Sequence, residues 1–212
     1  MKERPILFSG EMVSAILDGR KTQTRLVVDW KKVARESGCT RGRLAWSELL
    51  QGWAVFDGNG PADMCAVTCP YGQPGDRLWV LETWRECDDQ YIGTCIEYRA
   101  DGARIKPEFK SHETGWKCQE NSTASDAHKW RPSIFMPRFS SRITLEITRV
   151  RVERVQDISD DDSLSEGVDR TNTSIPGYAR ERFKRLWDSI NATRGYGWDA
   201  NPWVWAIEFK KL

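Results

Sequence analysis

The chain runs to 212 residues, 30% of them charged, yet its formal net charge is only +1. That length supports one large domain or two small ones, with enough bulk for a true core. Near-neutrality excludes a polybasic tail protein, so any pull on nucleic acid must come from a local patch. Eleven tryptophans are a surplus for this length; some belong in a core, and others suit stacking surfaces. No stretch approaches the length of a membrane-spanning helix, and the opening Met-Lys-Glu-Arg-Pro is no secretory signal. We therefore expect a cytoplasmic protein with no membrane partner.

In chain order, Met12, Val13, Ile16 and Leu17 make one apolar stripe, which predicts a short helix. Ser9 is its candidate N-cap, and Gly19 sits where a left-handed C-cap residue belongs. The run Gly19-Arg20-Lys21-Thr22-Gln23-Thr24-Arg25 follows directly. As an extended strand it would place Lys21, Gln23 and Arg25 on one face and Thr22 and Thr24 on the other. Alone, such a run is more often a solvated basic turn that complements the helix dipole than a site.

Residues 26–73 read as an insertion, with helical patterning around Trp30 to Arg35 and Leu44 to Leu50 and a glycine-rich stretch at Asp57 to Pro61. Pro74-Gly75-Asp76 marks a turn into a strand over Arg77 to Trp84, with Thr94 to Arg99 as a short partner. Residues 100–135 form a second, polar insertion. Arg142 to Val155 reads as a long strand whose apolar phase slips between Ile147 and Val150, so a bulge near Thr148 or Arg149 is expected. Ser159 then opens a helix that ends at Gly167; Asp160 to Asp162 read as capping residues, not a metal site. A polar link to Pro176 leads to a second helix, on which Phe183, Leu186, Trp187 and Ile190 form the stripe. Trp203, Trp205, Ile207 and Phe209 alternate as a last strand. The six cysteines are expected to be reduced thiols; Cys65 and Cys69 with His112 and Cys118 as a zinc set is the weaker alternative. No cofactor is implied.

The helix followed by Gly19 to Arg25 resembles the opening signature of the ASCH domain family, a branch of the PUA-like superfamily. Ordered further matches are the Gly75-Asp76 turn entering the Leu78 to Trp84 strand, the long strand to Val155, the helix with Glu166, and Trp205-Ala-Ile-Glu-Phe209. Residues 70–84, 130–138 and 196–209 are similar to ASCH-type proteins of bacteriophages and prophages, some loosely called morphogenetic. The resemblance implies an α+β fold: a single domain over 1–212, built as a PUA-like curved β-barrel with helices at the rim and insertions at about 26–73 and 100–135.

What the resemblance implies for function is binding of nucleic acid or a modified nucleotide, with RNA, DNA or a modified nucleoside as partner. In one branch a lysine, a threonine and a glutamate remove an acyl group from a modified cytidine, and ribonuclease activity occurs in others. Lys21 and Thr24 match the first two of that set, and Glu166 is the counterpart of the glutamate by order and spacing. A threonine hydroxyl attacks only once a neighbour takes its proton, so the three groups would have to converge. For binding, Trp84 is the expected stacking platform, with Trp198 or Trp203 next. Glu82, Asp199 and Asn201 are candidates for base edges, and Arg20, Lys21, Arg25, Arg138 and Arg142 for phosphate. A virion assembly role rests only on the loose label.

Overall fold

The computed structural model describes residues 1–37, 42–47, 50, 52–56, 64–89, 91, 93–106, 129–169, 171 and 175–212. Its elements are β1 (Glu3–Leu7), α1 (Gly10–Leu17), β2 (Gln23–Val27), α2 (Trp30–Ser37), β3 (Arg43–Ser47), β4 (Gly52–Phe56), β5 (Met64–Ala66), β6 (Arg77–Leu81), β7 (Trp84–Asp89), β8 (Gly93–Tyr98), β9 (Arg104–Ile105), β10 (Thr144–Arg154), α3 (Asp160–Ser165), α4 (Tyr178–Asn191) and β11 (Trp203–Lys211). None of the described helices is long and apolar enough to cross a membrane.

The arrangement is α+β around a five-stranded sheet of order β1-β6-β10-β11-β2, in which only β1 and β6 run parallel. Among the described residues no pairing joins β2 to β1, so the expected barrel is an open sheet here. Two three-stranded sheets, β3-β4-β5 and β7-β8-β9, stand beside it.

The bulge falls where the sequence phase slips. Against β11 the register of β10 shifts between Ile147 and Arg149. Leu145 and Ile147 before it, and Val150 and Val152 after it, therefore reach the same side of the sheet, opposite Ile207 and Trp205 in the later stretch. The polar residues that alternate with them, Arg149, Arg151 and Glu153, turn to the other side. On the apolar side Leu78, Val80, Leu145, Trp205 and Ile207 pack with Val13 and Ile16 of α1 and with Leu44 and Val55 of the small β3-β4-β5 sheet. Burying each such side chain stabilises by about 1.5–3 kcal/mol. On the other side Phe183 and Trp187 of α4 close with Trp198 over Val155 and Val204.

Several expected elements differ. Of the stretch expected to be helical over Leu44 to Leu50, the part through Ser47 is strand β3: Leu44 lies opposite Val55 in the β3–β4 ladder, and cross-strand pairing outweighs the weak helical spacing there. The glycine-rich stretch at 57–61 lies outside the described residues, as does most of the second insertion. The expected single strand over Arg77 to Trp84 is two strands in two different sheets, β6 and β7, broken at Glu82-Thr83. In α4 the buried stripe is Ala179, Phe183, Trp187 and Asn191, with Ile190 exposed, because the helix rotates to seat Trp187 against the sheet.

The three aspartates of α3 also part company. Ser159 caps α3 by accepting from Asp162 N (3.0 Å), as anticipated. Asp160, however, accepts from Gly177 N (2.7 Å) and Arg180 N (3.0 Å), so it caps α4 instead. Asp162 turns into the ion-pair network described below. The expectation of reduced thiols fails for Cys87 and Cys95, which oppose one another in the β7–β8 ladder and are disulfide-bonded. Cys65 is disulfide-bonded as well, which removes it as a zinc ligand. Cys69 is free and buried, and that burial pushes its thiol up to about 11. His112 and Cys118 lie outside the described residues.

Candidate functional site

The site begins where α1 ends. Gly19 takes a left-handed φ of 70°, and the N–H groups of Arg20 and Lys21 both donate to Ala15 O at 2.9 Å, which turns the chain sharply back. It then runs alongside the end of α3: Thr22 N donates to Ser165 O (2.8 Å), and Lys21 bridges Glu166. From Gln23 onward the chain is β2, with Gln23, Thr24 and Arg25 opposite Glu208, Ile207 and Ala206 of β11. The alternation read from sequence holds in space. Lys21, Gln23 and Arg25 all reach the end of α3.

Lys21 Nζ donates to Glu166 Oε2 (2.8 Å) and to Glu166 O (2.9 Å), and lies 5.5 Å from the Phe8 ring. Gln23 donates to Asp162 O at 2.7 Å. Arg25 has no exposed side-chain surface and contacts three carboxylates: Glu153 (2.6 Å), Asp162 (2.9 Å) and Glu166 (3.0 Å). Arg151, on the same face of β10, pairs with Glu153, Asp162 and Glu208. Lys21, Arg25 and Arg151 thus face Glu153, Asp162, Glu166 and Glu208; Lys21, Arg25 and Glu166 are buried, and the other four are partly exposed. The desolvation cost is offset only while every partner stays in place. Thr24 stands apart. It is buried opposite Ile207, on the core face of β2, away from Gln23 and Arg25. The structure brings Lys21 and Glu166 together and sets Thr24 on the other side of the strand.

Gly167 explains how closely α1 and α3 can meet. Its φ is +90°, and a Cβ there would lie 2.9 Å from both the Ala15 and Lys21 Cβ atoms. Only glycine fits that approach.

Two clefts flank α1. The larger, about 410 Å³, is walled by Gly10, Glu11, Ser14, Glu82, Thr83, Arg99 and Ala100. Glu82 is buried beside it, clamped by Arg142 through two parallel bonds of 2.9 and 2.8 Å. Arg142 in turn holds Asp101 through 2.8 and 2.9 Å bonds and lies 4.1 Å from the Tyr98 ring. This clamp sits at the break in the 77–84 run, between the end of β6 at Leu81 and the start of β7 at Trp84. Arg99 is exposed at the rim, 5.8 Å from the Trp130 ring, with no carboxylate partner among the described residues. The smaller cleft, about 290 Å³, is lined by Arg20, Glu166 and Gly167 with Glu11, Met12, Val168, Asp169, Arg182 and Leu186.

The remaining sequence candidates lie elsewhere. Trp84 is 1% exposed, under Arg131 at 5.1 Å, so its ring is enclosed. Trp198 is buried edge-on against Phe183 (6.3 Å), and the half-buried Trp203 is covered by Arg154 at 4.3 Å. Asn201, at φ 42°, accepts from Gln156 N and ties the chain before β11 to the end of β10. Arg138 pairs with Glu3 at 3.0 Å, and Asp199 is exposed. Arg20 pairs with Asp18 (2.9 Å) and donates to Gly167 O (3.1 Å). Of the candidates, Glu82 borders the larger cleft, and Arg20 and Glu166 the smaller. Sequence reasoning missed Arg99 and Arg182, which carry no motif and gain meaning only from the hollows they edge.

The sequence matches no protein-family profile and no curated protein. Among solved structures, an ASCH domain from Lactobacillus crispatus overlaps with a TM-score of 0.42 at 11% identity, covering 99% of this chain and 79% of that one. A DUF984 protein from Enterococcus faecalis overlaps with a TM-score of 0.41 at 10% identity, covering 100% and 81%. Neither superposition is close enough to establish a shared fold.

Removing Glu166 would leave Lys21 and part of Arg25 buried without their counter-charge. Glu166→Ala should therefore lower stability by about 3–5 kcal/mol in urea unfolding, and an unchanged midpoint would contradict the network. Acid should act on the same region. Burial opposes the Asp162 carboxylate, but Gln23 and the charges of Arg25 and Arg151 outweigh it and hold its pKa below the ordinary value. Asp101, hydrogen-bonded by Arg142, and Asp160, bonded by the α4 backbone, are lowered too. A lowered folded-state pKa means the unfolded chain binds protons first, so this stability is complete above the ordinary carboxylate pKa. Thermal melts should hold steady from neutral pH to about pH 5, then fall below about pH 4.

Proposed function

We propose that the protein binds nucleic acid or a modified nucleotide, with the larger cleft beside α1 as its principal site. The observation that carries this reading is Glu82: a buried carboxylate, fixed in orientation by Arg142, bordering a hollow whose rim bears the exposed Arg99. A carboxylate keeps a lone pair on each oxygen beyond those Arg142 takes, which would accept from the amino or imino edge of a base. The Arg99 guanidinium, with no carboxylate partner among the described residues, suits a phosphate. Thr83 and Ser14, on the same walls, add hydroxyls at the scale of a sugar. The cleft lies in the lower part of the range typical of small-ligand pockets, about 300–1,000 Å³. A phage or prophage origin belongs to this reading through the sequence resemblance alone. Lys21, Arg25 and Arg142 serve it indirectly, by holding the carboxylates and the helix that shape the walls.

A second reading, removal of an acyl group from a modified cytidine or cleavage of RNA, is favoured by one observation. Glu166 lines the smaller cleft and Lys21 sits 2.8 Å from it. As an ammonium, Lys21 has three donors, two of them engaged with Glu166. Thr24 would have to reach a substrate from the core face of β2.

Arg99→Ala should weaken binding of a short oligonucleotide and reduce the slope of log affinity against log salt by about one. Arg99 is exposed, so the fold should survive the change, and unchanged affinity and slope would overturn phosphate contact at that rim. For the second reading, the protein incubated with acylated cytidine should release cytidine while Thr24→Ala does not; no turnover by the wild type removes it.

A further inference from the structure

Glu11 lines both clefts. The two hollows therefore open on either flank of one side chain in the first turn of α1. They also repeat one plan. Each is bordered by a buried carboxylate that cations hold in place: Glu82 by the partly buried Arg142, and Glu166 by the buried Lys21 and Arg25. Each has an arginine at its edge: Arg99 in one case, and in the other Arg182, which pairs with Asp169 (3.4 Å) and donates to Thr171 (2.9 Å). The smaller cleft adds apolar walls, Val168 and Leu186, which suit the flat face of a heterocycle. Its volume is about 290 Å³ against about 410 Å³ for its neighbour. Each is scaled to one nucleoside and too small for a longer segment of strand.

We infer that the ligand is an unpaired strand of at least two nucleotides, held with one base on each side of Glu11. This rests on the nucleic-acid reading above and specifies its ligand. A base can enter a concave hollow only when it is splayed out of any stack, so a duplex is excluded on geometry. Linking two modest sites through one backbone raises affinity without further contacts, because the second base is delivered at high effective concentration. Glu11 is exposed and makes no hydrogen bond or ion pair among the described residues. Its carboxylate stands where the linking phosphate would pass, so it acts against binding, and its removal should help.

The test is isothermal titration of the full chain with the four 5′-mononucleotides, the corresponding 5′-phosphorylated homodinucleotides and a blunt duplex, in ribose and deoxyribose forms. For at least one base the dinucleotide should bind about tenfold or more tighter than the mononucleotide, and the duplex should bind weaker than either. Arg182→Ala should bring the dinucleotide-to-mononucleotide ratio toward one, whereas Arg99→Ala should weaken both. Glu11→Gln should raise the ratio. Equal wild-type affinities for the two lengths, or a loss in Arg182→Ala shared equally by both, overturn the two-cleft inference and leave the single-cleft reading standing. Failure of every probe to bind overturns the nucleic-acid reading itself.

Discussion

Arg25 has no contact with solvent and three carboxylates around it, and much of one face of the sheet is organised by that fact. Glu153 comes from β10, Asp162 from α3, and Glu166 from the residue that ends α3. A single guanidinium on β2 thereby gathers a strand, a helix and that helix's terminus, each more than 120 residues further along the chain, at separations of 128, 137 and 141. Arg151 repeats the arrangement on β10, two strands away, and draws in Glu208 of the β11 strand between them. Any one of these groups left alone would be costly to bury, so the set persists as a unit or not at all. The functional consequence is positional. The network holds the Glu166–Gly167 turn against α1, and that turn makes one wall of the smaller cleft.

Much of this region was legible locally. The alternation of Lys21, Gln23 and Arg25, the caps at Ser9 and Gly19, and the bulge beside Thr148 all follow from short-range rules, and the structure obeys them. What the chain did not disclose is where its cations go. A run of arginine and lysine after a helix reads as a surface patch, because such residues are rarely fully buried without partners. Here the partners lie more than a hundred residues downstream, and no local pattern announces them. Trp84 misled for a related reason: aromatic richness is equally compatible with a platform and with a core, and Trp84 lies in the core that Tyr98 and Met136 complete.

Glu82, a candidate for base edges by sequence, is a carboxylate following the run Leu78-Trp-Val-Leu81 within what was expected to be one strand. The fold ends one strand before Glu82 and starts another after Thr83 in a different sheet. Breaks in a local pattern are where function is expected to concentrate. The larger cleft lies at this break. The disulfide between Cys87 and Cys95 was hidden for a different reason, since pairing across a ladder depends on register, which spacing alone does not give.

The open rim of the main sheet has one more consequence. Phe8 N donates to Leu81 O across the parallel pair, so by alternation the odd positions of β1 turn their amide sides outward. Pro5 occupies the middle one, and proline has no hydrogen to offer there. A second copy trying to extend the sheet by docking along β1 would find its ladder interrupted at the centre, between the charged Glu3 and the exposed Leu7. Among the described residues, that border thus carries a covalent ring at the position where a ladder bond would be required.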